Sequence, residues 1–75
     1  MKGISKIIKK LLLERQMSQT TIAEHLKMTL QNFNNKLRRD SFTEDEIKKI
    51  AKIMNATFHH EKAWFTLNDT GEDIR

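Results

Sequence analysis

The chain contains almost none of the residues that interrupt helices. Among its 75 residues there is no proline, and its two glycines are Gly3 and Gly71. Proline and glycine are the strongest local breaks in a helical pattern. We therefore expect a mainly α-helical chain, whose helices are ended by capping residues and by residues such as Asn55 that tolerate a left-handed backbone.

Four stretches carry apolar residues at the three- and four-residue spacing of an amphipathic helix. In the first stretch these are Ile4, Ile7, Ile8, Leu11 and Leu12. The later stretches begin at good N-cap residues, namely Ser18, Thr29 and Thr43. The side chain of Glu46 can complete a capping box with Thr43. The pattern predicts four helices, over about residues 4–16, 18–26, 29–39 and 43–55.

The chain beyond Asn55 has the composition of β-strands. Residues 56–67 are rich in strand formers, residues 68–71 form a turn cluster, and residues 72–74 can return as a short strand. We predict a helical domain over residues 1–56 and a β-hairpin appendage over residues 57–75. Trp64 and Phe65 would point to opposite faces of one strand, so both faces need cover. This favours dimerisation through the C-terminal strand.

The net charge of +4 comes from an excess of basic residues in the first half of the chain. Residues 1–40 contain nine Lys/Arg and three Asp/Glu, whereas residues 41–75 contain five and seven. A basic surface on a small domain favours an anionic partner, either nucleic acid or a membrane surface. No apolar run approaches the roughly 18 residues that a membrane span needs. Because cysteine is also absent, we expect a soluble cytoplasmic protein with no membrane partner.

The third predicted helix carries four side-chain amides followed by two arginines. The amides are Gln31, Asn32, Asn34 and Asn35, and the arginines are Arg38 and Arg39. Asparagine is a poor helix former, so a purely structural helix has little reason to contain so many. An amide can make two hydrogen bonds to an adenine edge, and arginine suits phosphate or guanine. The pattern favours base readout over a merely polar surface.

Residues 18–37, SQTTIAEHLKMTLQNFNNKL, resemble the helix-turn-helix of phage-repressor regulators of the Cro and xenobiotic-response-element-like class. The matching positions are Gln19, Ile22, Ala23, Leu26, Met28 and Phe33. The likeness covers about residues 4–58. It implies a four-helix repressor-like domain, here with a short C-terminal β-hairpin. The implied function is that of a sequence-specific double-stranded DNA-binding transcriptional regulator, and no cofactor is implied.

The resemblance also implies roles for matched positions. The recognition helix is about residues 29–39 and lies in the major groove. The expected base contacts are Leu30, Gln31, Asn32, Asn34 and Asn35. The expected phosphate contacts are Gln19, Thr29, Lys36, Arg38 and Arg39. We expect a homodimer that binds two half-sites about one helical turn apart.

Two positions depart from the pattern of this class. Lys27 stands where glycine is usual, which predicts a strained or altered turn between the second and third helices. Lys36 stands where an apolar residue is usual, and we expect Leu37 to take over its packing.

Other kinds of function have weaker support. Residues 59–61, His-His-Glu, are of metal-ligating types, but neighbours in a strand point in opposite directions and no cysteine or second histidine pair completes a site. We find no catalytic triad, glycine-rich phosphate loop or convergent acid pair, and predict that the chain is not an enzyme. The lysines of the first helix fit either a solvated face or phosphate contact. The main alternative is an antitoxin-like protein-interaction module that uses the C-terminal strand.

Overall fold

A computed structural model of the protein describes residues 3–75. This part of the chain forms four helices and three strands, and it is mostly helical. The helices are α1 (Ile4–Glu14), α2 (Gln19–His25), α3 (Leu30–Arg39) and α4 (Glu44–Ile53). The strands are β1 (Ala56–His59), β2 (Trp64–Leu67) and β3 (Asp73–Ile74). The prediction of four helices followed by β structure is confirmed, and the helix-turn-helix identity of α2 and α3 stays a prediction.

The three predicted N-caps are confirmed by their hydrogen bonds. The hydroxyl of Ser18 accepts from the backbone N–H of Thr21 at 3.1 Å, and that of Thr29 accepts from Asn32 at 3.1 Å. At the start of α4, the backbone N–H of Thr43 donates to Glu46 at 2.8 Å while the Thr43 hydroxyl accepts from the N–H of Glu46. Local sequence therefore fixes where three of the helices begin.

All four helices are followed by a non-glycine residue in the left-handed conformation. Gln16, Lys27, Asp40 and Asn55 have φ values of 54°, 59°, 55° and 54°. After α2, the N–H of Lys27 donates to the carbonyl of Glu24 and that of Met28 donates to the carbonyl of Ala23, both at 3.0 Å. This is the hydrogen-bond pattern of a Schellman turn. The turn at Lys27 is thus regular in its bonding but strained in its backbone, because a side chain occupies a conformation that suits glycine.

The predicted turn over residues 68–71 and the return strand after it are confirmed, but residues 56–67 form two strands and not one arm of a hairpin. The segment folds into β1 and β2, which pair antiparallel, and β3 pairs with the other edge of β2. The loop between β1 and β2 is closed by the N–H of Ala63, which donates to the carbonyl of His59 at 2.8 Å. Ala63 is left-handed, with φ of 59°. A polar run of His-Glu-Lys before Ala63 leaves nothing to bury there, so the chain reverses earlier than its strand-forming composition suggests.

The sheet and the helices share one hydrophobic core. The sheet contributes Ala56, Phe65, Leu67 and Ile74 to a cluster whose helical members include Ile8, Ile22, Phe33 and Ile50. The core therefore crosses the division that the sequence predicts at residue 56. Within this core Phe33 and Phe42 pack edge to face, with ring centroids 5.4 Å apart.

The chain itself covers both faces of β2. Phe65 is fully buried in the core, whereas Trp64 on the outer face lies beneath the guanidinium of Arg75 and near the ammonium of Lys62, at 4.4 Å and 5.3 Å from its ring centroid. Such cation–π contacts shield an aromatic face that would otherwise be exposed. The predicted cover for both faces of this strand is thus supplied within one chain, and the homodimer stays a prediction.

Candidate nucleic-acid interface

Helix α3 is held by one apolar side, and most of its other side chains are exposed to solvent. Phe33 and Leu37 are buried, at 0% and 6% exposure, and they are the only buried members of this helix. The helix packs on α2 and α1. Thr29 caps its start, and Lys36, Arg38 and Arg39 lie in its last turn, where positive charge suits the helix dipole.

The side of α3 opposite Phe33 and Leu37 carries three amides and both arginines. At about 100° of rotation per residue, these five side chains occupy one continuous sector. We call them the α3 outer face: Gln31, Asn32, Asn35, Arg38 and Arg39. The structure thus brings together three of the five predicted base contacts and two of the predicted phosphate contacts.

The other two predicted base contacts lie at one flank of this face. Leu30 and Asn34 are four residues apart, so they stand one above the other beside the buried Leu37. Leu30 is 41% exposed, one of two large hydrophobic side chains exposed within residues 3–75. An exposed apolar side chain at the start of α3 is suited to a thymine methyl group.

Asn35 and Arg38 are joined within the α3 outer face. A terminal nitrogen of Arg38 donates to the side-chain oxygen of Asn35 at 2.7 Å. Reading adenine with both hydrogen bonds uses that oxygen as an acceptor, so the base would either share it with Arg38 or displace Arg38 from it. Gln31, Asn32 and Asn34 make no side-chain hydrogen bonds within residues 3–75, and their amides are open to a ligand.

Lys36 faces α4 instead of the α3 outer face. Its ammonium lies 3.2 Å from a carboxylate oxygen of Glu46, whose other oxygen accepts the Thr43 N–H. Burial alone would raise the pKa of Glu46, but the hydrogen bond from Thr43 and the charge of Lys36 outweigh it, and the pKa lies below its ordinary value. Leu37, not Lys36, supplies the buried position, as predicted. A phosphate contact by Lys36 would have to compete with Glu46.

The two remaining predicted phosphate contacts lie at helix starts. Gln19 is the first residue of α2 and is half-buried beside the capping Ser18. The hydroxyl oxygen of Thr29 accepts from Asn32, which leaves its hydrogen free to donate. Both positions are compatible with backbone contact.

Asp40 joins the end of α3 to the start of α1. Its two carboxylate oxygens accept from the backbone N–H groups of Gly3 and Ser5, at 2.6 Å and 2.8 Å. Burial would raise its pKa, but these hydrogen bonds outweigh that effect and lower it. Sequence reasoning missed this role. A carboxylate is unfavourable at a helix C-terminus. The aspartate directly after Arg39 therefore indicates a stabilising partner elsewhere, such as the N-terminus of another helix.

A second polar junction holds the far end of α1. Arg15 donates to the backbone carbonyls of Met54 and Asn55, at 2.8 Å and 3.0 Å. Its two terminal nitrogens also donate to the two carboxylate oxygens of Asp69. The hydrogen bonds from Arg15 lower the pKa of Asp69 to about 2. The junction ties α1 to the end of α4 and to the turn after β2.

The histidines near the sheet point to different partners. A ring nitrogen of His59 lies 2.6 Å from the hydroxyl of Thr66, and a ring nitrogen of His60 lies 2.9 Å from Glu44. Among residues 3–75, no three His, Cys, Asp or Glu side chains gather as metal ligands would. No helix of the described chain has both the length and the apolar character to cross a bilayer.

The α1 lysines are mainly exposed, and one has an intramolecular partner. Lys6 and Lys9 lie on the solvent side of α1, and Lys10 donates to the carbonyl of Arg75 at 2.6 Å. Both interpretations of this helix face, solvated surface or phosphate contact, stay open.

No family model matches the chain, and comparisons with curated proteins and with solved structures find no match. The interpretation of the α3 outer face therefore depends on its own chemistry and geometry.

Proposed function

We propose that this protein is a sequence-specific double-stranded DNA-binding transcriptional regulator that inserts α3 into the major groove. The observation that carries the proposal is the α3 outer face, on which the exposed Gln31 and Asn32 and the half-buried Asn35 stand beside the exposed Arg38 and Arg39. Amides read base edges and would supply sequence specificity, whereas guanidinium groups bind phosphates and would supply affinity for any DNA sequence.

The way α3 is held supports this role. Thr29 caps its first turn, Phe33 and Leu37 anchor its underside, and Asp40 fixes its end against α1. A recognition helix must be placed accurately because side chains reach base edges only within hydrogen-bond distance. A helix fixed at both ends and from beneath meets that requirement.

The charge balance supports a DNA partner over a neutral one. Within α3, Lys36 is paired with Glu46, whereas Arg39 makes no ion pair within residues 3–75. The acidic residues Glu44 and Asp45 begin α4 and lie outside the α3 outer face. We propose that the protein binds as a homodimer to two half-sites, with the α3 helices in successive major grooves.

Binding to random-sequence duplex DNA over a range of salt concentrations tests the proposal. Fluorescence anisotropy should show a DNA affinity that falls steeply as the salt concentration rises. In Arg39→Ala the slope of log Kd against log salt concentration should be smaller by about one. Lys49→Ala is the matched control, since it removes one exposed positive charge from α4 and should leave the slope unchanged. Absence of binding at low salt would contradict the proposal and leave the protein-interaction module as the stronger interpretation.

A further inference from the structure

Strand β1 has one edge without a partner. The sheet has the order β1-β2-β3, so β2 is flanked on both sides and β1 on one. Within residues 3–75 no strand pairs with the outer edge of β1. An edge of this kind presents backbone groups that can pair with another chain.

The register shows which groups of β1 point outward. The N–H of Asn68 donates to the carbonyl of Asn55 at 3.0 Å, which makes these two a hydrogen-bonded pair at the start of the ladder. Bonded and non-bonded pairs alternate along an antiparallel ladder. Thr57 and His59 therefore direct their backbone groups to β2, and Ala56 and Phe58 direct theirs to the open edge.

A groove of about 340 Å³ runs between this edge and α4. Its volume is within the range of ligand-binding clefts, about 300 to 1,000 Å³. Ala56 and Phe58 lie on the strand side, and Ala51, Lys48 and Lys52 lie on the helix side. The groove thus offers backbone hydrogen bonds, a small apolar floor and a positively charged wall. No residue of α3 lines it.

The charge of this wall indicates the occupant. No carboxylate lines the groove, and the nearest partner of Lys48 is Glu44 at a loose 3.9 Å. Lys52 makes no ion pair within residues 3–75. A second copy of this chain is a poor fit, because its β1, Ala-Thr-Phe-His, brings no negative charge and its own lysines would approach these. The complementary occupant is an extended segment with acidic side chains.

We propose that the groove between β1 and α4 binds an extended acidic peptide segment of a partner protein, which adds a strand to the open edge of β1. Backbone hydrogen bonds to Ala56 and Phe58 supply the pairing, and alternate side chains of the peptide face Lys52 and Lys48. The proposal does not depend on DNA binding, since the two surfaces share no residue.

Titration of the full chain with a seven-residue peptide of alternating valine and glutamate tests this. The amide resonances of Ala56 and Phe58 should shift, and the same peptide with lysine in place of glutamate should not bind. Lys52→Glu should weaken binding about fivefold, whereas Lys49→Glu, a matched change outside the groove, should have little effect.

N-methylation of the peptide separates strand pairing from charge attraction alone. Two peptides are compared, one methylated on its odd-numbered amides and one on its even-numbered amides. Only one of these two sets faces β1, so one methylated peptide should fail to bind and the other should still bind. Equal binding of both methylated peptides would overturn the proposal. So would a chain that sediments as a dimer through β1 and does not bind the peptide, which would assign the edge to a second copy.

Discussion

Asp40 accepts a hydrogen bond from the backbone N–H of Ser5 at 2.8 Å, across 35 residues of sequence. Its other carboxylate oxygen accepts from Gly3, so one side chain at the end of α3 caps the first turn of α1. Gly3 adopts φ of 85°, a conformation that glycine reaches without strain. The carboxylate lies between the negative end of one helix and the positive end of another, and the second interaction offsets the first.

Replacement of Asp40 by alanine should destabilise the fold by about 1 kcal/mol, the usual cost of losing an N-cap. Chemical denaturation measures this directly. Asp40→Asn is the matched control: it keeps one acceptor oxygen and tolerates the left-handed backbone, so it should lose less. Equal losses in the two variants would show that the charge, not the cap geometry, carries the contribution.

Replacement of Lys27 by glycine should stabilise the protein by about 0.5 to 1 kcal/mol, because glycine relieves the left-handed strain at φ of 59°. Lys27→Ala keeps the strain and removes only the charge, so it should change the unfolding free energy far less. Thermal unfolding of both variants gives the comparison. A destabilised Lys27→Gly would mean that the lysine side chain makes a contribution greater than the strain.

Acid should destabilise the fold through the junction of Arg15 and Asp69. The folded pKa of Asp69 is about 2, below its ordinary value of 3.8, so the contribution of the pair is present above about pH 4 and is lost as pH falls toward 2. Glu72 acts in the opposite direction, since the charge of Glu14 raises its pKa. Because Asp69→Asn has no carboxylate to protonate at this position, its melting temperature should fall less between pH 4 and pH 2 than that of the wild type.

Arg15→Met provides the control for this pH dependence. It removes the guanidinium that lowers the pKa of Asp69, so it should flatten the same interval of the pH profile. The double variant should show no further flattening. If the single variants flatten the profile additively, the two residues are acting on different partners.

The helical half of the fold was predictable because its signals are local. The caps at Ser18, Thr29 and Thr43 lie within three residues of the N–H groups they satisfy, and apolar spacing defines which side of each helix is buried. The outward position of Gln31 and Asn35 follows from the same spacing once Phe33 is buried.

The sheet and the polar junctions were less predictable because they depend on distant partners. Nothing near Arg15 in the sequence indicates that it binds Asp69, and nothing near Trp64 indicates that Arg75 covers its ring. Lys36 shows the limit within the candidate site itself. Its place in α3 suggests a phosphate contact, and only the position of Glu46 on the next helix reveals the competing ion pair.

Selection of bound sequences from a random duplex pool, with wild type and Gln31→Ala in parallel, shows whether α3 reads DNA bases. We expect a defined site for the wild type. In Gln31→Ala we expect the loss of base preference at one position of that site, worth about 1 to 3 kcal/mol, with binding to random DNA largely retained. Gln19→Ala, the control at a predicted phosphate contact, should weaken binding uniformly and select the same site. A wild-type pool with no enriched sequence, or an unchanged site in Gln31→Ala, would contradict base readout by α3.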